Sequence, residues 1–216
     1  MTAGTTVHSP DGTPVVLGEI GQRVLLANSR VRVWEVDLAP GETQPWHLHH
    51  NPYVVLCVQS SDCRMDWLDG SPPRFITEQV GNAIYRPVSP VHMLTNHGDS
   101  RYRNRLIEVL DLGEEASGAA LEQWSGTPTV PTTAVTVLDL DEVTVRRLAA
   151  DPGVEHTWQA GPVPAVVVPL EGGPGVDSAP DGGVRYLNPG ETYAVRNPGE
   201  TPYEVQVVEL RHLRSR

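Results

Sequence analysis

Two stretches of the sequence decide the fold: GETQPWHLHHNPYVVLCVQ at Gly41 to Gln59 and GNAIYRPVSPVHMLTN at Gly81 to Asn96. In the first stretch, His47 and His49 are two residues apart and come just before a β-branched run. Residues i and i+2 of a strand point to the same face of a sheet. Both imidazoles are therefore expected to point at one position, as two ligands of a single metal ion do.

The second stretch supplies a third histidine, His92, after a proline-rich turn. Three neutral imidazoles converging on one ion leave coordination positions open for water or substrate, which is typical of a catalytic metal site. The alternative interpretation is that all three are ordinary structural histidines. We predict that His47, His49 and His92 are metal ligands because of the residues that surround them.

The first of these stretches resembles the first motif of the cupin superfamily. That motif is a Gly, five residues, His-x-His, three or four residues, Glu, six residues and a final Gly. Gly41, His47 and His49 match it. Tyr53 stands where the motif has Glu, and Ser60 stands where it has its last Gly.

The second stretch resembles the second cupin motif, which is a Gly, five residues, Pro-x-Gly, two residues, His, three residues and Asn. Gly81, Pro87, His92 and Asn96 match, and Ser89 replaces the middle Gly. Two motifs in the right order, with 20 residues between them, are a specific signal.

The rest of the chain indicates an all-β protein. It holds 20 glycines and 20 prolines, and short Val-rich segments alternate with turn signals. Together with the resemblance, this predicts two cupin barrels of the jelly-roll-like, double-stranded β-helix type. We expect a metal-binding cupin domain at 1–112, a linker at 113–134 and a degenerate cupin domain at 135–216.

The degenerate domain is predicted from an internal repeat. The Asn-His-Gly-Asp that begins at Asn96 recurs as the Asn-Pro-Gly-Glu that begins at Asn197, and a strand-like run follows each. Counting back from Asn197 places Tyr193 at the ligand position, and the His-x-His positions fall near Gln159 and Gly161. The second domain is therefore expected to lack metal ligands. Short helices are predicted over Glu114 to Trp124 and Asp139 to Ala150.

Tyr53 is the candidate catalytic residue. It lies four residues from His49, so both side chains are expected on the inner face of the strand. Tyr53 could be a weak phenolate ligand, an acid/base group or an aromatic wall, since an unperturbed phenol ligates poorly at neutral pH. We expect a hydroxyl that supports the ligands or takes part in catalysis. The alternating arginines Arg101, Arg103 and Arg105 are predicted to form a solvated edge rather than a substrate clamp.

Composition excludes several function classes. The formal charge of −11 argues against nucleic acid or an anionic membrane surface as a partner. All 16 positively charged residues are Arg, which excludes a lysine Schiff base. With no apolar run of about 20 residues and no leader-like start, we expect a cytoplasmic protein that does not span a membrane. A monomer or a homodimer is expected.

The resemblance implies a range of functions: iron dioxygenases, lyases, isomerases, cyclases, and non-catalytic storage or sensing proteins. Three-His sites without the Glu are similar to the thiol and β-diketone dioxygenases of the superfamily. The first hypothesis is an Fe(II) dioxygenase-type oxidoreductase acting on a small oxygenated or carboxylate substrate. The second is a lyase, isomerase or cyclase using one Zn, Ni or Mn ion on the same ligands. The third is a protein that binds a small ligand without turnover.

Overall fold

The computed structural model describes residues 2–110, 128–170, 172–174 and 177–211. The chain divides into two compact units, Met1–Leu110 and Asp111–Arg216. In the described residues of both units, all the regular elements are β-strands, which confirms the all-β prediction. None of the described residues forms a helix that is long and apolar enough to cross a membrane.

The first unit contains strands β1 to β11. They are β1 (Thr6–His8), β2 (Pro14–Val16), β3 (Arg23–Ala27), β4 (Val31–Leu38), β5 (Thr43–His49), β6 (Tyr53–Gln59), β7 (Asp62–Trp67), β8 (Arg74–Thr77), β9 (Ala83–Arg86), β10 (Ser89–Asn96) and β11 (Tyr102–Val109).

Two antiparallel sheets form the body of this unit. One has the order β3-β4-β11-β6-β9 and the other has the order β5-β10-β7-β8. The sheets pack face to face, since Val36 and Tyr102 of the first share a core cluster with Cys63 and Leu94 of the second. The turns Ala39-Pro40-Gly41 and Val80-Gly81 lead into β5 and β9, and Gly41 and Gly81 both have positive φ (80° and 86°), which glycine adopts without strain.

The second unit repeats this arrangement in a smaller form. Its strands are β12 (Val135–Asp139), β13 (Thr144–Ala150), β14 (Glu155–Gln159), β15 (Ala165–Pro169), β16 (Arg185–Leu187), β17 (Thr192–Arg196) and β18 (Tyr203–Glu209). The larger sheet has the order β12-β13-β18-β15-β16, and the smaller one pairs β14 with β17. In the described residues, no strands correspond to β7 and β8 of the first unit.

The internal repeat is visible in two equivalent asparagines. Asn96 donates from Nδ2 to the carbonyls of Leu38 and Ser100, and its Oδ1 accepts from the backbone N–H of Gly98. Asn197 donates to the carbonyls of Ala150 and Thr201 and accepts from Gly199 in the same way. In both units the asparagine therefore ties the turn after one strand to the end of a strand in the opposite sheet.

The helix predicted over Asp139 to Ala150 is wrong. Residues 144–150 form β13, which pairs with β18 along its whole length, and a turn at Leu140–Val143 connects it to β12. Val145, Leu148 and Ala150 are fully buried there. Pairing in the middle of a sheet outweighs the weak helix propensity of the segment. The helix predicted over Glu114 to Trp124 and most of the predicted linker lie outside the described residues.

The prediction of a solvated arginine edge is also wrong for two of the three arginines. Arg105 is fully buried and Arg103 is 9% exposed. Both contact Oε1 of Glu35, at 2.8 Å and 3.2 Å. Arg101 does lie at the surface, where it pairs with Asp37. All eight residues of β11 are buried, so side chains on both faces of this strand are covered.

Candidate metal centre

The structure brings the three predicted histidines together. His47 on β5 and His92 on β10 are register partners, and His49 follows two residues later on β5. One ligand atom from each of the three lies within 4.8 Å of the others. Each histidine is 3% exposed. The cluster therefore lies inside the unit rather than on its surface.

Backbone hydrogen bonds fix two of the rings. Nδ1 of His47 is 2.7 Å from the carbonyl oxygen of Pro45, and Nδ1 of His92 is 2.8 Å from that of Pro90. A carbonyl oxygen only accepts, so Nδ1 carries the hydrogen in both rings and Nε2 keeps its lone pair. Histidine ligands of metals are usually oriented by a bond of this kind.

Burial keeps the histidines neutral. Burial and, to a smaller extent, the nearby His92 together lower the pKa of His47 to about 3. Burial lowers the pKa of His49 to about 2, with His47 and His92 contributing. The pKa of His92 is lowered as well, again by burial. Neutral imidazole is the form that binds metal ions, and three such donors fit a divalent ion of the iron, nickel or zinc type.

Tyr53 lies against this cluster. Its ring stacks on His49 with centroids 4.0 Å apart and an interplanar angle of 18°. Its hydroxyl is 2.5 Å from Oγ of Ser89, and the side chain is 4% exposed. Burial raises the pKa of Tyr53, although the Ser89 bond acts against this shift. The phenol is therefore protonated at neutral pH.

The three histidines and Tyr53 line a narrow cavity of about 50 Å³. Apolar side chains form much of its wall: Val36, Val55, Met65, Ile76, Leu94 and Leu106. Four polar residues that sequence reasoning missed also line it: Gln44, Glu78, Tyr102 and Asn104.

A β-bulge explains why Gln44 was not predicted to line the cavity. Strand alternation counted from His47 places Pro45, not Gln44, on the inner face. In the structure, two steps along β10, from His92 to Leu94, correspond to three steps along β5, from His47 to Gln44. The extra residue on β5 turns Gln44 inward, and the one sequence signal for this bulge is Pro45, since strands accept proline mainly at edges and bulges.

Other residues considered from the sequence lie near the site or outside it. Met65 lines the cavity, and the Trp67 ring is 5.6 Å from that of His92. Glu108 is buried but accepts a hydrogen bond from the Trp34 indole, 2.7 Å away, and does not line the cavity. His50 is exposed, as expected for the residue after His49.

In the second unit, a tryptophan occupies the position of a ligand. Tyr193, four residues before Asn197, pairs with Trp158, just as His92 pairs with His47. The His-x-His positions are therefore Trp158 and Ala160, one residue before those predicted. Both are fully buried in an apolar cluster. In the described residues, the first unit's histidines form the one group of three metal-ligating side chains.

Comparison with known proteins gives structural similarity only. No protein-family model and no curated protein sequence matches the chain. Hazelnut (Corylus avellana) vicilin is similar with a TM-score of 0.52 at 9% identity, over 92% of this chain and 80% of that one. AerE from Microcystis aeruginosa has a TM-score of 0.51 at 6% identity, over 97% of both chains. A cupin domain from Bordetella pertussis is 22% identical with a TM-score of 0.37, over 50% of this chain and 97% of that one.

Proposed function

Because the chain has the cupin fold, we propose that its first unit is a mononuclear metal-dependent enzyme in which His47, His49 and His92 bind one divalent ion. The observation that carries the proposal is the cluster of three buried, neutral imidazoles at the wall of a cavity. Because the bonds to Pro45 and Pro90 occupy Nδ1 of His47 and His92, their Nε2 atoms are the donors.

The charge of the donor set favours an anionic substrate. Three neutral ligands leave the full +2 charge on the ion, and a small oxygenated or carboxylate molecule that chelates it would offset that charge. An ion held in this way supplies Lewis-acid chemistry and, if it is Fe(II), the activation of dioxygen. We place the reaction in the Fe(II) dioxygenase class because three-His sites without the motif Glu resemble those enzymes.

Tyr53 is proposed as the proton-transferring residue of this site. Its hydroxyl is protonated, lies beside His49 and is hydrogen-bonded to Ser89. Tyr53 can therefore donate a proton to a substrate oxygen in the cavity, while the Ser89 hydroxyl reorients to stabilise the phenolate that remains. Stacking against His49 holds the ring in place while this happens.

A second candidate uses the same three ligands without redox chemistry. Imidazole donors also suit Zn(II) and Ni(II), and Mn(II) is a further possibility, for a lyase, isomerase or cyclase reaction. The donor set does not discriminate between these ions, so the bound metal must be measured.

The test is the metal content of untagged protein purified without chelators, beside two variants. We expect about one equivalent of iron in the unaltered protein, as a single three-His site requires. The equivalent should be lost in His92→Ala and kept in His50→Ala, which removes an exposed neighbour of the cluster. Oxygen uptake by anaerobically Fe(II)-loaded protein then tests the dioxygenase class.

Each other outcome changes the conclusion. One equivalent of zinc, nickel or manganese, with no oxygen uptake after iron loading, would replace the dioxygenase class with non-redox chemistry. Failure to bind any of these ions, even after incubation with each, would overturn the enzyme proposal and leave a small-molecule-binding protein.

A further inference from the structure

The cavity contains a second set of polar groups besides the metal centre: Gln44, Glu78, Tyr102 and Asn104, here called the acceptor cluster. We propose that the acceptor cluster binds an amine at the far end of a substrate whose anionic end chelates the metal. The substrate class is then a short ω-amino carboxylate or a similar bifunctional molecule. This inference rests on the proposed metal centre and adds the chemistry that selects the substrate.

The first free acceptor is Oε1 of Gln44. The amide nitrogen of Gln44 donates to the carbonyl oxygen of Glu19, 2.6 Å away. A carbonyl oxygen cannot donate, so this bond fixes which end of the amide faces Glu19. Oε1 therefore points elsewhere, and it is buried with no hydrogen-bond partner. Gln44 is 3% exposed, so bulk solvent does not reach it.

The second free acceptor is Oδ1 of Asn104. The Tyr102 hydroxyl donates its one hydrogen to Oε2 of Glu78, at 2.7 Å, and so must accept from Nδ2 of Asn104, at 2.9 Å. This chain of bonds fixes the orientation of the Asn104 amide. Its Oδ1 is left buried and without a partner.

All members of the acceptor cluster are buried. The groups that they leave open for a ligand are all hydrogen-bond acceptors. Gln44 and Asn104 each present an unpaired oxygen, and Glu78 presents a carboxylate that is 6% exposed. Buried acceptors are normally paired, because burying one without a partner costs free energy. A ligand with several N–H donors can pair with more than one of these acceptors, and a protonated amine also offsets the carboxylate charge. A hydroxyl, with one donor, satisfies only one of them.

The wall between the two polar regions is apolar. On β10, Leu94 follows His92 by two residues, and on β11, Leu106 lies between Asn104 and Glu108. Glu108 is the register partner of Tyr53, so the backbone of Asn104 lies four residues along β11 from the level of Tyr53, roughly 13 Å, while Gln44 lies three residues from His47 on β5. A ligand that reaches both regions therefore needs a short alkyl segment between its two ends.

The experiment measures binding of three matched series of probes to the unaltered protein loaded with Ni(II). The series are ω-amino carboxylates from β-alanine to 6-aminohexanoate, the ω-hydroxy carboxylates and the plain alkyl carboxylates of the same lengths. We expect calorimetry to show about tenfold tighter binding of the amine than of the alkyl carboxylate at the best chain length, the size expected for hydrogen bonds to a charged group. The hydroxy series should fall between the two.

Variants assign the preference to the acceptor cluster. Asn104→Leu and Gln44→Met remove one acceptor each at nearly constant volume, and each should lower the ratio of amine to alkyl affinity. Leu94→Met is the matched control in the same cavity and should keep the ratio. All three variants should keep the Ni(II) equivalent, because none of them replaces a histidine.

The outcomes separate the two proposals. Equal affinity for all three series at every chain length, with Ni(II) bound, would show that the acceptor cluster does not bind an amine. The proposal of the metal centre would still stand. Failure of the unaltered protein to bind Ni(II) would show that the proposed metal centre is wrong, and the inference that rests on it would be wrong as well. The comparison among probes uses the unaltered protein, so it does not depend on any variant folding.

Discussion

The Tyr53 hydroxyl lies 2.5 Å from Oγ of Ser89 in the buried wall of the metal-centre cavity. Both residues are departures from the cupin motifs: Tyr53 stands at the Glu position and Ser89 at a Gly position. A glycine at 89 would give the Tyr53 hydroxyl no side-chain partner. The two departures from the motifs are therefore hydrogen-bond partners of each other.

This hydrogen bond predicts non-additive effects on stability. Tyr53→Phe or Ser89→Ala leaves one buried hydroxyl unpaired and should lower the free energy of unfolding by about 1–3 kcal/mol. The double variant should cost less than the sum of the two, because it removes both partners together. Denaturant unfolding measures the free energy of unfolding of the metal-free unaltered protein, the two single variants and the double variant. Strict additivity would show that the contact contributes no coupling energy.

The same variants separate metal binding from proton transfer. Tyr53→Phe should bind the same amount of metal as the unaltered protein, because the phenol is not one of the proposed ligands. If the metal content falls together with that of His92→Ala, Tyr53 is a ligand and its proposed role as a proton donor is wrong.

Glu35 is expected to be critical for the stability of the first unit. It contacts Arg105, which is fully buried, and Arg103, and its other carboxylate oxygen pairs with Arg23. Glu35→Gln should lower the free energy of unfolding by about 3–5 kcal/mol, because it leaves a buried guanidinium without its counter-ion. The control is Glu155→Gln, whose partner Arg196 is exposed. It should cost less than about 1 kcal/mol, and equal losses would contradict the prediction.

The same carboxylate predicts a dependence of stability on pH. Burial raises the pKa of Glu35, but Arg105, Arg103 and Arg23 together hold it below its usual value of 4.5. A group whose pKa is lower in the folded state stabilises the fold above its unfolded pKa, and this contribution is lost as the pH falls through the folded value. Between pH 6 and acid conditions, the unaltered protein should therefore lose more stability than Glu35→Gln. Parallel curves of unfolding free energy against pH would rule this out.

Trp158 is expected to be the main core residue of the second unit. It occupies the position of His47 in the first unit and is fully buried. Trp158→Ala should cost about 3–5 kcal/mol through the cavity that it leaves. Trp158→Phe, which keeps most of the apolar volume, should cost clearly less. Chemical denaturation followed by tryptophan fluorescence and circular dichroism compares the two, and similar losses would show that the indole is not a packing element.

Local spacing and the resemblance to two motifs were enough to predict that His47, His49 and His92 come together. The His-x-His spacing places two imidazoles on one face of a strand whatever surrounds it, and the second motif places His92 and Asn96 on the next strand of the same sheet. The all-β class follows from short Val-rich segments separated by glycine and proline. These features depend on backbone geometry over a few residues. Tyr53 does lie beside His49 as expected, but strand alternation is not the reason, because His49 ends β5 and Tyr53 begins β6 in the other sheet.

Tertiary structure alone decided the rest. Gln44 faces the cavity because a register shift between β5 and β10 adds a residue on β5, and pairing between distant strands sets such shifts. Residues 144–150 form a strand because β18 pairs with them, and Arg105 is buried because both faces of β11 are covered. The acceptor cluster joins residues from two strands, β5 and β11, and from the loop after β8. Its members meet only when the two sheets pack, so no local pattern could encode their proximity.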